Sequence, residues 1–251
     1  MLMPPLCTQP ERYRVAMNSL RSPWLAAFGV AVVVHLALVL AHAQPWESIT
    51  KCLIAPLLAA WVIEQQGPRI IALALVFCLF GDLFLEIDGL FVAGMASFAA
   101  AHVCFVTFFV RRGALDALRR RLWIPLALLV GAIVLLVWVW GGLESALRVP
   151  VLVYALLLSA TAATALAVDL RAGVGALLFL FSDGLIAARI AERVPEDSVL
   201  GGFVVMLTYC LALFLLATAI VQKEARTRAA GGFDPARPTD CWPTLPAEVG
   251  R

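Results

Sequence analysis

Charge is what this sequence has least of. Only 14% of its 251 residues are Asp, Glu, Lys or Arg, against roughly a quarter in soluble domains. Histidine and tyrosine are rarer still, at three residues each. So little charge excludes water as the main solvent of the folded chain. A net charge of +2 is too small to mark a nucleic-acid binder, and the basic stretch from Arg111 to Arg121 lies between two apolar runs, where membrane topology accounts for it. Six cysteines stand at 7, 52, 78, 104, 210 and 241, without the paired spacing of a zinc site or of a disulfide framework. Strict alternation of polar and apolar residues is missing too, which excludes a membrane β-barrel.

What remains is a sequence that is 63% hydrophobic. Runs long enough to cross a hydrocarbon core of about 30 Å occur at 24–41, 49–65, 68–86, 90–110, 122–140, 147–168, 173–191 and 199–221. Backbone groups in lipid must be paired within their own segment, so these runs predict an all-α, polytopic membrane bundle of about eight transmembrane helices. The first run ends in Ala41-His42-Ala43, which imitates a signal-peptide cleavage site, but its 18 residues exceed the usual h-region and predict a retained helix. Residues 1–23 read as a cytoplasmic leader, 24–221 as the transmembrane domain and 222–251, rich in Gly and Pro toward the end, as a disordered cytoplasmic tail. On this layout all Lys and Arg except Lys51, Arg148, Arg189 and Arg193 fall on one side. Basic residues stay cytoplasmic, so both termini are expected inside, at the plasma membrane if the source is bacterial.

Ionisable residues within the runs cost about 2.5–3.5 kcal/mol each on insertion scales, and need a partner or a purpose. Asp82, His102, Asp183 and His35 lie well inside their runs, with Lys51 and Glu86 nearer the ends. His35 is expected to be a satisfied packing residue. Asp82 and Glu86 share one helical face by their i, i+4 spacing. Phe91, Gly94, Phe98 and His102 share another in the next run, and Gly175, Phe179 and Asp183 a third in the seventh, with Ser182 beside it. Asp88-Gly89 is a turn signal that makes the third and fourth helices antiparallel neighbours. A polar cavity opening on the non-cytoplasmic side would gather these groups.

These residues carry a resemblance to a known family. Lys51 followed by Pro56, Gly81-Asp82, the series Phe91, Gly94, Phe98 and His102, Gly175-Ala176 through Ser182-Asp183, and Tyr209 with Ala212 together resemble the YhhN-type membrane proteins, from about Lys51 to Val221. The chain departs from the family pattern at Phe105, where an aromatic hydroxyl is usual, and at Leu213, where Gln is common. The resemblance implies a lysoplasmalogenase, an intramembrane hydrolase that cleaves the vinyl ether bond of a single-chain alkenyl lysophospholipid in the bilayer. It implies no cofactor, metal or nucleic acid. Hydrolysis of a vinyl ether needs an acid and a base, and Asp82 and Asp183 are the candidate catalytic pair. Lys51 or His102 would keep one of them ionised, or Lys51 would meet the substrate phosphate. His102, Ser182 and Tyr209 join Lys51 as candidates for substrate contact.

Two other classes draw on the same residues. Deep acids and histidines also serve proton-coupled transporters, although no pair of interrupted helices in matching halves is present. A metal-dependent intramembrane hydrolase would use His35, His102, Asp82 and Asp183 around zinc, although they lack metal-ligand spacing.

Overall fold

The computed structural model describes residues 22–195 and 199–231, and every regular element among them is an α-helix. In chain order they are α1 (Pro23–Ala41), α2 (Trp46–Glu64), α3 (Arg69–Leu85), α4 (Phe91–Arg111), the short α5 (Ala114–Arg119), α6 (Trp123–Val139), α7 (Ser145–Val168), α8 (Leu170–Ile190) and α9 (Val199–Gly231). Six are long and apolar enough to cross a bilayer, namely α1, α2, α4, α7, α8 and α9. The other two long helices, α3 and α6, have 17 residues each, or about 25 Å of rise. The eight long helices coincide with the eight apolar runs. Their outward surface is itself apolar, with Val137 73% and Val33 68% exposed. Such a surface belongs in lipid, and the protein is an integral, multi-pass membrane protein.

Chain breaks fall where local chemistry ends a helix. Ser22 caps α1 by accepting from the Trp24 amide at 3.2 Å, and its hydroxyl donates to the Glu64 carboxylate at the end of α2. Gly89 takes φ +80° in the tight turn between α3 and α4, a conformation that suits glycine. Asp169 alone separates α7 from α8 and accepts from the amides of Arg171 and Ala172 at 3.0 and 3.1 Å.

The helices pack as a circuit. Each of α1 to α4 packs on the next, α4 on α7, α7 on α8 and α8 on α9, and α9 returns to α1 and α2. Helix α6 stands outside, against α7 with a smaller contact to α8. Glycine lets two of these pairs close up. A Cβ on Gly175 of α8 would sit 3.0 Å from the Ala212 carbonyl oxygen and the Leu216 amide nitrogen of α9. A Cβ on Gly94 of α4 would sit 2.9 Å from Leu85 of α3. In a bilayer, where hydrocarbon on either side is equally apolar, such close backbone approach is a main source of helix association. Toward the end of the bundle that holds the α2–α3 loop, Ile54, Leu58, Trp61, Leu75, Phe105, Leu213 and Leu216 fill the interior. Toward the opposite end the interior is open.

One expectation is corrected. The polar segment after Gln222 was expected to be disordered, but α9 continues to Gly231. Gln222, Lys223, Glu224, Ala225 and Arg226 are all good helix formers. Their side chains also have partners: Arg112 pairs with the buried Glu224, Lys223 donates to the Val168 carbonyl, and Arg228 donates to that of Gln66 at 2.8 Å. The expected leader up to residue 21 and the tail from 232 lie outside the described residues.

Candidate active site

The open end of the circuit is a cavity of about 730 Å³ between atoms, including its mouth, with walls from α2, α3, α4, α7, α8 and α9. Most of the wall is apolar, from Leu85, Phe91, Met95, Phe98, Ile186 and Met206. Lys51, Asp82, Tyr154, Ser182, Asp183 and Tyr209 interrupt it. A cavity with apolar walls and a few converging polar groups has the composition of a site for an amphiphilic small molecule.

Its centre is two carboxyl–hydroxyl pairs. Asp82, 1% exposed, accepts a hydrogen bond from the Tyr209 hydroxyl on its Oδ2 at 2.7 Å, which joins α3 to α9. Asp183 accepts from the Tyr154 hydroxyl on its Oδ2, which joins α8 to α7. Each tyrosine holds one carboxyl oxygen, and neither hydrogen bond engages the other oxygen. Gly81 explains how Asp82 comes to be there, since a Cβ at that position would lie 2.6 Å from the Phe98 ring. Phe98 in turn meets Tyr209 and Phe179 edge to face, at ring-centroid distances of 6.0 and 6.1 Å. An aromatic wedge thus separates the carboxyl pairs from the filled half of the bundle.

At the mouth, Lys51 pairs with Glu86 at 2.8 Å, and Glu86 also accepts from the Ser48 hydroxyl. Lys51 lines the cavity beside Asp82, but its direct ion-pair partner is Glu86.

Of the residues singled out in the sequence, Asp82, Asp183, Lys51, Ser182 and Tyr209 meet at this one cavity. The Ser182 hydroxyl donates to the Val205 carbonyl at 3.0 Å, so it fastens α8 to α9. His102 is not among the wall residues. It is fully buried behind Phe179, with ring centroids 4.6 Å apart, and its Nδ1 is 3.1 Å from the Thr161 hydroxyl. His35 is elsewhere, buried in α1 with Nδ1 2.9 Å from Thr50. Among the described residues, no three His, Cys, Asp or Glu side chains converge as metal ligands would. The zinc set considered above therefore has no geometry behind it. Phe105 and Leu213, the two departures from the family pattern, are both buried core residues at 1% and 0% exposure.

The residue that sequence reasoning missed is Tyr154. A signal for it exists: it is one of three tyrosines in the chain, inside an otherwise apolar run, and Thr161 follows at i+7 on the same face. That face turns toward α4 and α8, where Thr161 meets His102 and Tyr154 meets Asp183.

Comparison with known proteins places this architecture. Over 206 residues the chain is 32% identical to human lysoplasmalogenase TMEM86B, covering 79% of this chain and 87% of that protein. It is 32% identical over 199 residues to a lysoplasmalogenase of Mycobacterium bovis, covering 68% and 74%. With the Bos taurus lysoplasmalogenase TMEM86A the figures are 28% over 234 residues, 80% and 90%. No solved structure matches. The YhhN family model matches residues 46–220, from the first turn of α2 deep into α9. That span contains Lys51, both carboxyl–tyrosine pairs and the whole wall of the cavity, and the chain belongs to the YhhN family.

Proposed function

We propose that this protein is a lysoplasmalogenase that hydrolyses the vinyl ether bond of an alkenyl lysophospholipid, releasing a fatty aldehyde and a glycerophospho-base, with Asp82 and Asp183 as acid and base. The observation that carries the reading is the pair of tyrosine-held carboxyls, Asp82 buried and Asp183 half-buried, that line one largely apolar cavity together with Lys51.

The chemistry closes on two carboxyls. One, protonated, transfers its proton to the β-carbon of the vinyl ether, leaving an oxocarbenium ion whose charge the resulting carboxylate faces. Water adds to the cationic carbon, and its proton passes to the second carboxylate, giving a hemiacetal. The hemiacetal hydroxyl then returns a proton to the first carboxylate while the glycerol oxygen leaves with the proton of the second. Both groups end as they began, with one water consumed and no other reactant. Tyr154 and Tyr209 fix which oxygen of each carboxyl faces the cavity. Lys51 supplies a point charge for the phosphate, exchanging Glu86 for it at the mouth.

The strong bias of Lys and Arg to one side supports a topology with both termini cytoplasmic and the cavity opening on the opposite face.

The test is detergent-purified protein given an alkenyl lysophospholipid or its saturated ether analogue, with aldehyde followed by a coupled dehydrogenase. Aldehyde is expected from the alkenyl lipid alone, because the saturated ether has no carbon to protonate. Folded protein that releases aldehyde from neither would overturn the reading, and proton-coupled uptake in proteoliposomes would take its place.

Tyr154→Phe is expected to lower kcat by about 10- to 100-fold, the worth of one hydrogen bond to a charged partner, with KM little changed. A parallel rise in KM with unchanged kcat would instead place Tyr154 in substrate binding.

A further inference from the structure

A second cavity lies between α6, α7 and α8, with about 480 Å³ between atoms including its opening. Its lining is apolar, from Leu135, Leu136, Leu158 and Leu180, and narrow-sided where Ala155 and Gly184 stand. The one hydroxyl beyond the partition, that of Ser159, donates to its own helix at the Ala155 carbonyl, 2.8 Å away, and leaves the lining without a free donor. Tyr154 and Asp183 line both cavities, as do Val151 and Ala187. The Tyr154–Asp183 pair therefore stands in the partition, with Lys51, Asp82, Ser182 and Tyr209 in the wall on one side and an almost wholly apolar lining on the other.

We infer that this second cavity holds the hydrocarbon chain of the substrate, with its head group in the first cavity. The inference rests on the lysophospholipid reading above. A lysolipid has one polar and one apolar half, and the two cavities divide along the same line. Depth agrees. Along α6 the lining runs from Val139 to Gly131, and along α8 from Ala187 to Leu180, away from the Lys51 end of the bundle and toward mid-bilayer, over about 10–12 Å at 1.5 Å per residue. A lipid tail descending from a phosphate at Lys51 takes that direction. Helix α6, outside the circuit, is the element that such a chain would pass beneath on its way in from the bilayer.

The division also orders the two carboxyls. The vinyl ether is where the chain begins, so it lies at the partition, and Asp183 is the carboxyl that meets its carbons and donates the first proton. Asp82, on the head-group side with Lys51, takes the proton of the attacking water.

Ser159→Phe, five residues along α7 from Tyr154, fills the inner part of the second cavity, away from both carboxyl pairs. Wild-type protein and this variant are compared on alkenyl lysolipids from octenyl to hexadecenyl. The variant is expected to keep its rate on the shortest chain and to lose on the order of tenfold in kcat/KM for every two methylenes the ring excludes. Equal loss at every chain length would overturn the assignment. An independent readout needs no variant: a saturated lysolipid with a terminal diazirine, photolysed on the wild-type protein, is expected to label α6, α7 and α8 around Leu135, Leu158 and Leu180. Label confined to α2, α3 and α9 would overturn it. Failure of the hydrolysis reading shows separately, as absence of aldehyde from wild-type protein with every chain, while the photolabel still reports where the chain sits.

Discussion

Asn in place of Asp82 or Asp183 is expected to lower aldehyde release by about 10²- to 10⁴-fold, the usual worth of a general acid or base. The substitution is nearly isosteric. An Asn carbonyl still accepts the hydrogen bonds that Tyr209 and Tyr154 give to the two carboxyls, so the joints between α3 and α9 and between α7 and α8 survive. What each variant loses is the ability to carry a proton. The unfolding midpoint in detergent should therefore stay close to that of the wild type while kcat collapses. The double variant should be little worse than either single one, because a cycle needing both groups stops when one is gone. A purified single variant that kept a substantial part of the wild-type rate would remove that residue from the chemistry.

Gly81→Ala is expected to damage stability and activity together. The new methyl would lie 2.6 Å from two atoms of the Phe98 ring, far inside contact distance. The ring has little room to retreat, being held edge to face by Phe179 and Tyr209. Overpacking of this kind costs about 1–3 kcal/mol, seen as a lower unfolding midpoint. Displaced toward the cavity, Phe98 would also move Tyr209 from Asp82, so activity should fall further than the folded fraction alone explains. Gly29→Ala is the control, since a Cβ there has nothing within 4 Å, and it should be neutral or stabilising by about 0.5–1 kcal/mol as a helix-interior glycine replaced. Adding Phe98→Leu to Gly81→Ala should recover part of the lost stability, which would locate the clash in that pair. An unchanged midpoint and rate in Gly81→Ala would mean that the wedge does not hold Asp82 in place.

The helices were legible because the bilayer makes them so. A hydrocarbon core of fixed thickness sets the length of each run, and the cost of a charge in it makes Asp82 and Asp183 conspicuous without any structure. Gly89 was legible as a turn for the same local reason, that one residue must adopt φ +80°. The end of α9 was misread because Gly231 and the prolines beyond it outweighed the good helix formers from Gln222 to Arg226, in a segment whose partners Arg112, Val168 and Gln66 are remote in sequence. His102 shares a helical face with Phe98, and periodicity alone put both at one site. Depth separated them, with Phe98 on the cavity wall and His102 behind Phe179.

By itself, then, the sequence determined which segments form long apolar helices, where the chain turns and which acids lie inside those segments at a cost, since each follows from the price of one residue or one segment in hydrocarbon. Only the tertiary structure decided that Tyr209 bonds Asp82 and Tyr154 bonds Asp183, that α6 stands outside the circuit, and that Asp183 lies between a cavity carrying Lys51 and Asp82 and one lined almost wholly by apolar groups. Those outcomes depend on the depth and rotation at which helices far apart in the chain meet. The spacing of residues along a single helix leaves both undetermined.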